Sequence, residues 1–276
     1  MNKSWSRPFC AAAILVALAA NVAPAQPADD FVQRALLDST FNWKTIETDY
    51  VRIYYQAGSF AEKHRAMLLR SAEGTIGEVL DYLDESEYDG PLNVFYLNSR
   101  KEMKRIVGSP VSGFANWEAN GIFVVFNPEW RSFEKHEFTH IVTMGMWGPP
   151  DDTSRWMVEG LPVACDGWCR EYSVDEIAWH YLSHDELPPL QDLFTNFRSL
   201  GEIKGGFYAA SVIGFIHDRF GVDALRSLWL DGTGSLTDVL GVDVKELEAS
   251  WKRYLNSSVD KDVQVDVDTI GKLGCG

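Results

Sequence analysis

The stretch from His136 to Gly160 reads HEFTHIVTMGMWGPPDDTSRWMVEG, and it decides more about the fold than any other part of the chain. Its first five residues place His136 and His140 four positions apart, which puts them one turn apart on the same face of an α-helix. Both imidazoles can then reach one tetrahedral ion at ~2.0–2.1 Å, the usual distance between zinc and histidine nitrogen. The spacing therefore predicts a helix that carries two ligands of one zinc ion, Zn2+.

A third ligand and a general base are predicted in the same stretch. Glu159 follows a Gly148-Pro149-Pro150 turn, which lets the chain double back toward the histidines. Two neutral imidazoles and one carboxylate leave a fourth position open to water, which is the composition of catalytic zinc sites. Glu137, beside the first histidine, can reach such a water and accept its proton. Asp166 is a candidate to orient one of the ligand histidines.

The H-E-x-x-H pattern that starts at His136, followed by Trp156-x-x-Glu159-Gly160, resembles the gluzincin metallopeptidases. The chain beyond its leader is similar to the bacterial peptidase MA-like proteins of that group. The resemblance implies that His136, His140 and Glu159 bind zinc and that Glu137 is the general base. It also implies an α+β, zincin-like metallopeptidase domain. In that fold, a small mixed amino-terminal sheet lobe has an edge strand over the active-site helix, and the carboxy-terminal lobe is mostly helical.

The resemblance extends to segments outside the zinc motif. Gly113-Phe114-Ala115 and the predicted strand from Gly121 to Phe126 look like the edge strand that gluzincins place beside the substrate cleft. The segment around Tyr208 is similar to a tyrosine-bearing helix of these proteins, which makes Tyr208 the candidate donor to the reaction's oxyanion. Pro162 departs from the family pattern. We therefore expect the helix of Glu159 either to start close to that residue or to be kinked there.

Periodicity predicts the elements of the amino-terminal half. Alternating apolar residues between Trp43 and Gln56 predict a strand. Ser59 and Glu62 predict a capping box at the start of a long helix, because a serine followed three residues later by glutamate satisfies the first backbone N–H groups. The run from Leu92 to Leu97 predicts a buried strand.

The first 25 residues predict a secretory signal peptide. Lys3 and Arg7 precede an apolar run from Phe9 to Ala20, and Ala23-Pro24-Ala25 fits a cleavage site. The apolar run is shorter than the ~20 residues that a membrane span needs. We therefore expect a periplasmic or secreted protein with no membrane span after signal cleavage.

Composition restricts the class of partner. The chain has 276 residues, 46% of them hydrophobic, and 25 basic against 40 acidic side chains give a net charge of -15. Such acidity argues against a nucleic-acid partner, whose phosphates attract basic surfaces. The resemblance implies one gluzincin-like peptidase domain over residues 26–276, with an α/β lobe at 26–130 and a helical lobe at 131–276. Its expected partner is a peptide or protein substrate.

Three cysteines remain after the leader, Cys165, Cys169 and Cys275, so at most one disulfide forms within a chain. The spacing of Cys165 and Cys169 would let them bridge on one helix face. A structural disulfide, or buried thiols, is favoured over a metal site, because two further zinc ligands are missing nearby in sequence.

The sequence favours an exported zinc-dependent peptidase that hydrolyses peptide bonds through a zinc-activated water. A catalytically silent gluzincin-fold protein that binds peptides or acts as a scaffold is the alternative, and a zinc hydrolase of a non-peptide amide is a third. Glu137 favours an enzyme, because a binding module needs no general base. Internal and terminal cleavage both stay open, with Glu118 as a candidate contact for a free α-amine. His180 and His184 form a second helical pair, but no adjacent glutamate or third ligand accompanies them.

Overall fold

A five-stranded mixed sheet forms the amino-terminal part of the chain. The computed structural model describes residues 30–130 and 134–275, so the predicted signal peptide lies outside the described residues. The strand order is β1-β2-β3-β5-β4; β2, β3 and β5 are parallel, whereas β1 and β4 pair antiparallel with their neighbours. The strands of this sheet are β1 Trp43–Glu47, β2 Val51–Gln56, β3 Leu92–Leu97, β4 Gly113–Asn116 and β5 Gly121–Val125.

Helices make up most of the rest of the chain, so the expected α+β class with a mostly helical carboxy-terminal part is confirmed. A small hairpin, β6 Trp168–Cys169 and β7 Tyr172–Ser173, interrupts them. No helix in the described ranges is long and apolar enough to cross a membrane. The helices are α1 Phe31–Leu37, α2 Phe60–Tyr82, α3 Arg100–Val107, α4 Glu134–Met146, α5 Arg155–Asp166, α6 Val174–Ser183, α7 Leu190–Asn196, α8 Glu202–Phe220, α9 Val222–Asp231, α10 Leu236–Leu240, α11 Val244–Ser258 and α12 Val267–Leu273.

Both faces of the sheet are covered, because side chains alternate between the two faces along each strand. In β3, Val94 and Tyr96 belong to the main hydrophobic core, which also contains residues of α2, α4, α5 and α8. Phe95 and Leu97, the alternating residues of the same strand, face a smaller core formed with α1 and α3. The sheet therefore presents one face to the helix that carries the H-E-x-x-H motif.

The segment between Trp43 and Gln56 is a hairpin of two strands, so the prediction of a single strand was wrong. The turn forms because the backbone N–H of Thr48 donates to the carbonyl oxygen of Val51 at 2.9 Å, while the Thr48 hydroxyl accepts from the N–H of Tyr50 and of Val51. A threonine side chain that bonds backbone two residues ahead is a known turn former.

The long helix starts where predicted, but only one of the two hydrogen bonds of the predicted capping box forms. The Ser59 hydroxyl accepts from the N–H of Glu62 at 3.0 Å, and α2 begins at Phe60. The Glu62 carboxylate does not return to Ser59; it accepts from the N–H of Gly58 and from Lys44. The serine cap alone therefore marks this helix start.

Helix α5 packs more extensively against α8 than any other pair of described elements does. The two backbones approach closely at Gly160, where a Cβ atom would lie 2.6 Å from the Cβ of Ala209 and 2.8 Å from the Cδ1 of Ile213. Glycine is thus required at this position by the close approach of the helices, which explains why a glycine directly follows Glu159. The packing fixes the helix that carries the predicted third ligand.

A disulfide joins Cys169 to Cys275, and Cys165 is a buried free thiol, so a bridge between Cys165 and Cys169 is not formed. The reason is local: α5 ends at Asp166, and Gly167 turns the chain with a φ of 76°. Cys169 therefore lies in β6, outside the helix face that carries Cys165. Its partner comes from the end of the described chain, 106 residues away.

We predict that reduction of this disulfide lowers the free energy of unfolding by about 2–5 kcal/mol, because the bond closes a long loop and restricts the unfolded chain. Urea unfolding of metal-free protein, with and without a phosphine reductant, measures the effect. The Cys275→Ser variant should match reduced wild type and should not respond to the reductant. Equal unfolding midpoints for oxidised and reduced wild type would contradict the prediction.

Candidate metal centre

Helix α4 is tied to the sheet at its first residue. Glu134 is buried and accepts hydrogen bonds from the Tyr96 hydroxyl of β3 and, at 3.1 Å, from the Ser71 hydroxyl of α2. The next residue, Lys135, pairs with Glu78 of α2 at 3.0 Å. Burial of Phe138 further commits one face of the helix to the core. These contacts fix the rotation of α4, and hence the direction of its histidines.

The connection from α4 to α5 is held by α9. The Trp229 indole N–H donates to the carbonyl oxygen of Gly148 at 2.8 Å, and the N–H of Asp151 donates to the Trp229 carbonyl oxygen at 2.8 Å. The Ser154 hydroxyl donates to the Leu228 carbonyl oxygen at 2.5 Å. A loop fixed at both ends in this way returns the chain so that α5 lies beside α4.

The structure brings His136, His140 and Glu159 together as a group that could hold a metal ion. The Nε2 atoms of His136 and His140 are 3.2 Å apart. The Oε2 atom of Glu159 lies 3.8 Å from the first of these nitrogens and 3.9 Å from the second. Two ligands thus come from α4 and the third from α5.

These distances fit a zinc ion. The circle through the three ligand atoms has a radius of about 2.1 Å, within the ~2.0–2.2 Å range of zinc bonds to nitrogen and oxygen. Ideal tetrahedral coordination would place neighbouring ligand atoms roughly 3.4 Å apart, so the carboxylate oxygen would move toward the histidines by about half an ångström. The Glu159 side chain is 55% exposed and has room for that movement. The donor set, two imidazoles and a carboxylate, is also one that zinc accepts.

Glu137 lies against the first residue of β4. It is buried, and a Cβ atom placed on Gly113 would overlap its Oε1 atom and lie 3.0 Å from its Cδ atom. Only glycine therefore leaves space for this carboxylate. Glu137 therefore lies against β4, the last strand of the described sheet, and belongs to the same helix as the two histidines.

Asp166 lies beside His136, as its predicted orienting role requires. Its Oδ2 atom is 3.8 Å from Nδ1 of His136, while Nε2 of that histidine points to the ligand group. At this distance the attraction is electrostatic, and a small movement would produce a hydrogen bond. A carboxylate behind a ligand histidine fixes the ring orientation and makes the ring a better donor.

Burial and charge set opposite protonation preferences within the group. Burial alone would lower the pKa of His136, but nearby carboxylates, that of Glu159 first, outweigh it and raise the pKa to about 9. Burial together with the His136 charge lowers the pKa of His140 to about 4. The contact with His136 holds the pKa of Glu159 below its usual value, although burial opposes this.

The pKa values of the other two carboxyl groups shift in the opposite direction, because burial is the largest influence on both. Burial raises the pKa of Glu137 to about 7 and that of Asp166 to about 6, in each case against the attraction of His136. Three carboxyl groups thus converge on two histidines in a largely buried region. Such a cluster favours bound positive charge.

Pro162 lies inside α5. The helix begins at Arg155, four residues before Glu159, and continues to Asp166, so the first of the two expected arrangements, a helix start close to Glu159, is not observed. Because proline has no N–H, the carbonyl oxygen of Val158 loses the helical partner that another residue would supply. Glu159 is therefore presented from within a helix rather than from its first turn.

Tyr208 is not brought into the ligand group. Its side chain is fully buried, its hydroxyl donates to the carbonyl oxygen of Pro188 at 3.1 Å, and its ring packs on Trp251. Burial also raises its pKa well above the ordinary value. The assignment of Tyr208 as oxyanion donor does not fit this environment, because the hydroxyl hydrogen is already used within the core.

The second histidine pair is a surface feature of α6. The rings of His180 and His184 are 4.4 Å apart between centroids, and Nδ1 of His184 lies 2.7 Å from the carbonyl oxygen of His180. In the described ranges no third ligand joins them. Glu171, the next carboxylate after Asp166 in the chain, is exposed in the turn between β6 and β7 and lies outside the metal-ligand group.

A cleft of about 800 Å³ opens beside the ligand group, and sequence reasoning did not anticipate it. His136 and Glu159 line it, together with Arg155 on α5 and Arg198 on the 3₁₀ helix Phe197–Leu200. No local pattern indicates such a cleft, because its walls come from segments about 40 residues apart that meet only through the packing of α5 on α8. The ligand group is thus accessible from a cavity large enough for several peptide residues.

Comparisons with known proteins give no further assignment: no protein-family model matches the chain, and no curated protein matches it significantly in sequence.

We predict that Asp166→Asn lowers the affinity for Zn2+ by roughly 10- to 100-fold, because the amide holds the His136 ring less firmly and polarises it less. Competition with a chromophoric zinc chelator measures the dissociation constant. Glu171→Gln, which removes an exposed carboxylate five residues away, is the matched control and should leave the affinity unchanged. Equal affinities for Asp166→Asn and wild type would show that Asp166 does not support His136.

Proposed function

We propose that the protein is an exported zinc-dependent peptidase of the gluzincin type, with zinc bound by His136, His140 and Glu159. The observation that carries the proposal is the mutual distance of these three ligand atoms, 3.2, 3.8 and 3.9 Å, with a buried carboxylate, Glu137, on the same helix as the histidines. The disulfide between Cys169 and Cys275 supports export, because such bonds persist in oxidising compartments.

A zinc ion held by His136, His140 and Glu159 would polarise a carbonyl group and would lower the pKa of a bound water to about 7. The chain itself supplies Glu137, the carboxylate that would accept a proton from this water. Glu137 suits this role because its burial favours the protonated form, so the carboxyl group can hold the proton and then release it to the leaving amine. Asp166 and the contacts of Glu134 keep His136 in place meanwhile.

Strand β4 supports a peptide as the substrate. It pairs with β5 on one side only, as the last strand of the described sheet, and its backbone groups on the other side can bind an extended chain by strand addition. Because Gly113 of this strand packs against Glu137, a peptide bound along β4 would run past the proposed general base. The acidic balance of the chain likewise favours a peptide over a nucleic-acid substrate.

We expect Glu137→Gln to abolish peptide cleavage while zinc stays bound, because the amide cannot accept a proton but keeps the size of the side chain. Wild type and variant, both zinc-loaded, are incubated with a diverse peptide pool, and the products are mapped by mass spectrometry. His140→Ala is the comparison variant that should lose both zinc and activity. Wild-type protein that binds one zinc ion and cleaves no peptide would favour the peptide-binding alternative.

We also expect Gly113→Ala to reduce kcat by about 100-fold or more with little change in zinc affinity, because the added methyl group displaces the Glu137 carboxylate from its place beside β4. Steady-state kinetics and zinc titration check the two halves of this expectation. Ala115→Gly, on the same strand, controls for altered strand flexibility and should keep most activity. Full activity of Gly113→Ala would contradict the proposed position of Glu137.

A further inference from the structure

Two arginines line the cleft, and Arg198 is the one that forms no ion pair within the described residues. It lines the same cleft as the ligands His136 and Glu159, and its side chain is exposed. The other arginine of the cleft, Arg155, pairs with Asp152 at 2.6 Å. Arg198 has no carboxylate oxygen within 4.0 Å in the described ranges. Its guanidinium group is therefore available to a ligand in the cleft.

The segment that carries Arg198 is well supported. Phe197 packs against the start of α8, where a Cβ atom on Gly205 would lie 3.2 Å from the Cε2 atom of Phe197. The Ser199 hydroxyl donates to the Asn196 carbonyl oxygen at 2.7 Å. Gly201, which ends the segment, has a φ of 79° that glycine adopts easily. These contacts hold the backbone that carries Arg198, which lowers the entropic cost of a contact made by its side chain.

The chemistry of arginine indicates the ligand. A guanidinium group presents N–H donors in a planar fork that matches a carboxylate, and such paired bonds are stronger than neutral ones. The rest of the molecule offers a carboxylate little attraction, since the chain carries a net charge of -15 and Glu202 lines the same cleft. A carboxylate would therefore be recognised at short range by Arg198 rather than drawn in by the overall field.

We propose that Arg198 binds a carboxylate of the peptide substrate inside the cleft, beside the metal-ligand group. The carboxylate is either the carboxy terminus of the peptide or an aspartate or glutamate side chain near the bond that is cut. This inference rests on the proposed peptidase function and names its substrate class. Arg198 acts as a substrate-binding residue and takes no part in proton transfer.

The test uses one cleaved peptide in four matched forms. Two forms differ by a free or amidated carboxy terminus, and two differ by glutamate or glutamine near the cut bond. For wild type we expect a higher kcat/KM for the carboxylate form than for the neutral form in one of the two pairs. In Arg198→Gln we expect this ratio of kcat/KM values to fall by roughly 10- to 100-fold. The neutral form should change by no more than about twofold, since it makes no charged bond to the guanidinium. The pair that responds identifies the source of the carboxylate.

Two further variants separate a specific contact from a change in net charge. Arg155→Gln removes the same charge from the same cleft but from a neutralised pair, and should leave the preference intact. Arg198→Lys keeps the charge without the planar fork and should retain only part of the preference. Thermal unfolding shows whether Arg198→Gln is folded. If it is not, Arg198→Lys alone decides the test. No preference in wild type, or an unchanged preference in Arg198→Gln and Arg198→Lys, overturns the proposal.

A binding measurement separates this inference from the proposed function. Fluorescence anisotropy records binding of the four labelled peptides to zinc-loaded Glu137→Gln, with and without the Arg198→Gln change. A preference for the carboxylate form that disappears with Arg198 supports the inference even if wild type cleaves nothing, in which case only the peptidase proposal fails. Equal binding of carboxylate and neutral forms, or no binding of any form, overturns the inference whether or not wild type cleaves peptides.

Discussion

The approach of three ligand atoms within 4 Å of one another is the constraint on which the rest of the candidate site depends. It requires α4 and α5 to lie side by side with fixed rotations, although about twenty residues of chain separate their ligands. The Glu134 contacts set the rotation of α4, while the loop bonds to α9 and the close approach at Gly160 set that of α5. Each of these contacts lies outside the ligand group, so much of the site's precision comes from ordinary packing.

The same convergence collects charged groups, most of them largely buried, whereas Glu159 is exposed and lines the cleft. Carboxyl groups of Glu137, Glu159 and Asp166 surround two histidines, and burial opposes ionisation of most of them. The raised pKa of His136 and its approach to Glu159 at 3.8 Å offset part of this cost. A divalent cation would offset it more fully, because it pairs directly with the carboxylate and with both neutral rings. The electrostatics and the distances between ligand atoms therefore both favour a divalent cation in this site.

Local sequence signals located the parts of the site that depend on neighbours along the chain. Residues His136 and His140 share a helix face because their spacing matches the helical repeat, and Ser59 begins α2 because its hydroxyl reaches a nearby N–H. Strands β3 and β5 also followed from apolar runs, whereas the segment of β4 was singled out only by the family resemblance. The hairpin turn at Thr48 was missed. The alternation of apolar residues continues on both sides of the turn, and hydrogen bonds of a single threonine side chain support the reversal.

Features that depend on distant residues could not be derived in this way. Cys169 pairs with Cys275 because the chain end folds back onto the β6–β7 hairpin, and no spacing rule encodes that return. Tyr208 has the chemistry of an oxyanion donor, but the packing of α8 places its hydroxyl on Pro188. Arg198 gave no signal at all, because an arginine in a polar turn is ordinary until the opposite wall of the cleft is known.

The two sides of the candidate site have different physical requirements, and this bears on how substrate choice can vary. On the side of β4, Gly113 must remain glycine for Glu137 to keep its place, and the backbone of the strand offers the same hydrogen bonds to any peptide. On the side of the cleft, Arg198 is exposed on the 3₁₀ helix Phe197–Leu200 and pairs with no carboxylate of the described residues. In the proposed peptidase, a substitution of Arg198 would change the preferred peptide without displacing Glu137, whereas a substitution of Gly113 would displace it. In the proposed peptidase, the helical wall of the cleft would therefore determine selectivity, and the junction of α4 with the sheet would carry the chemical step.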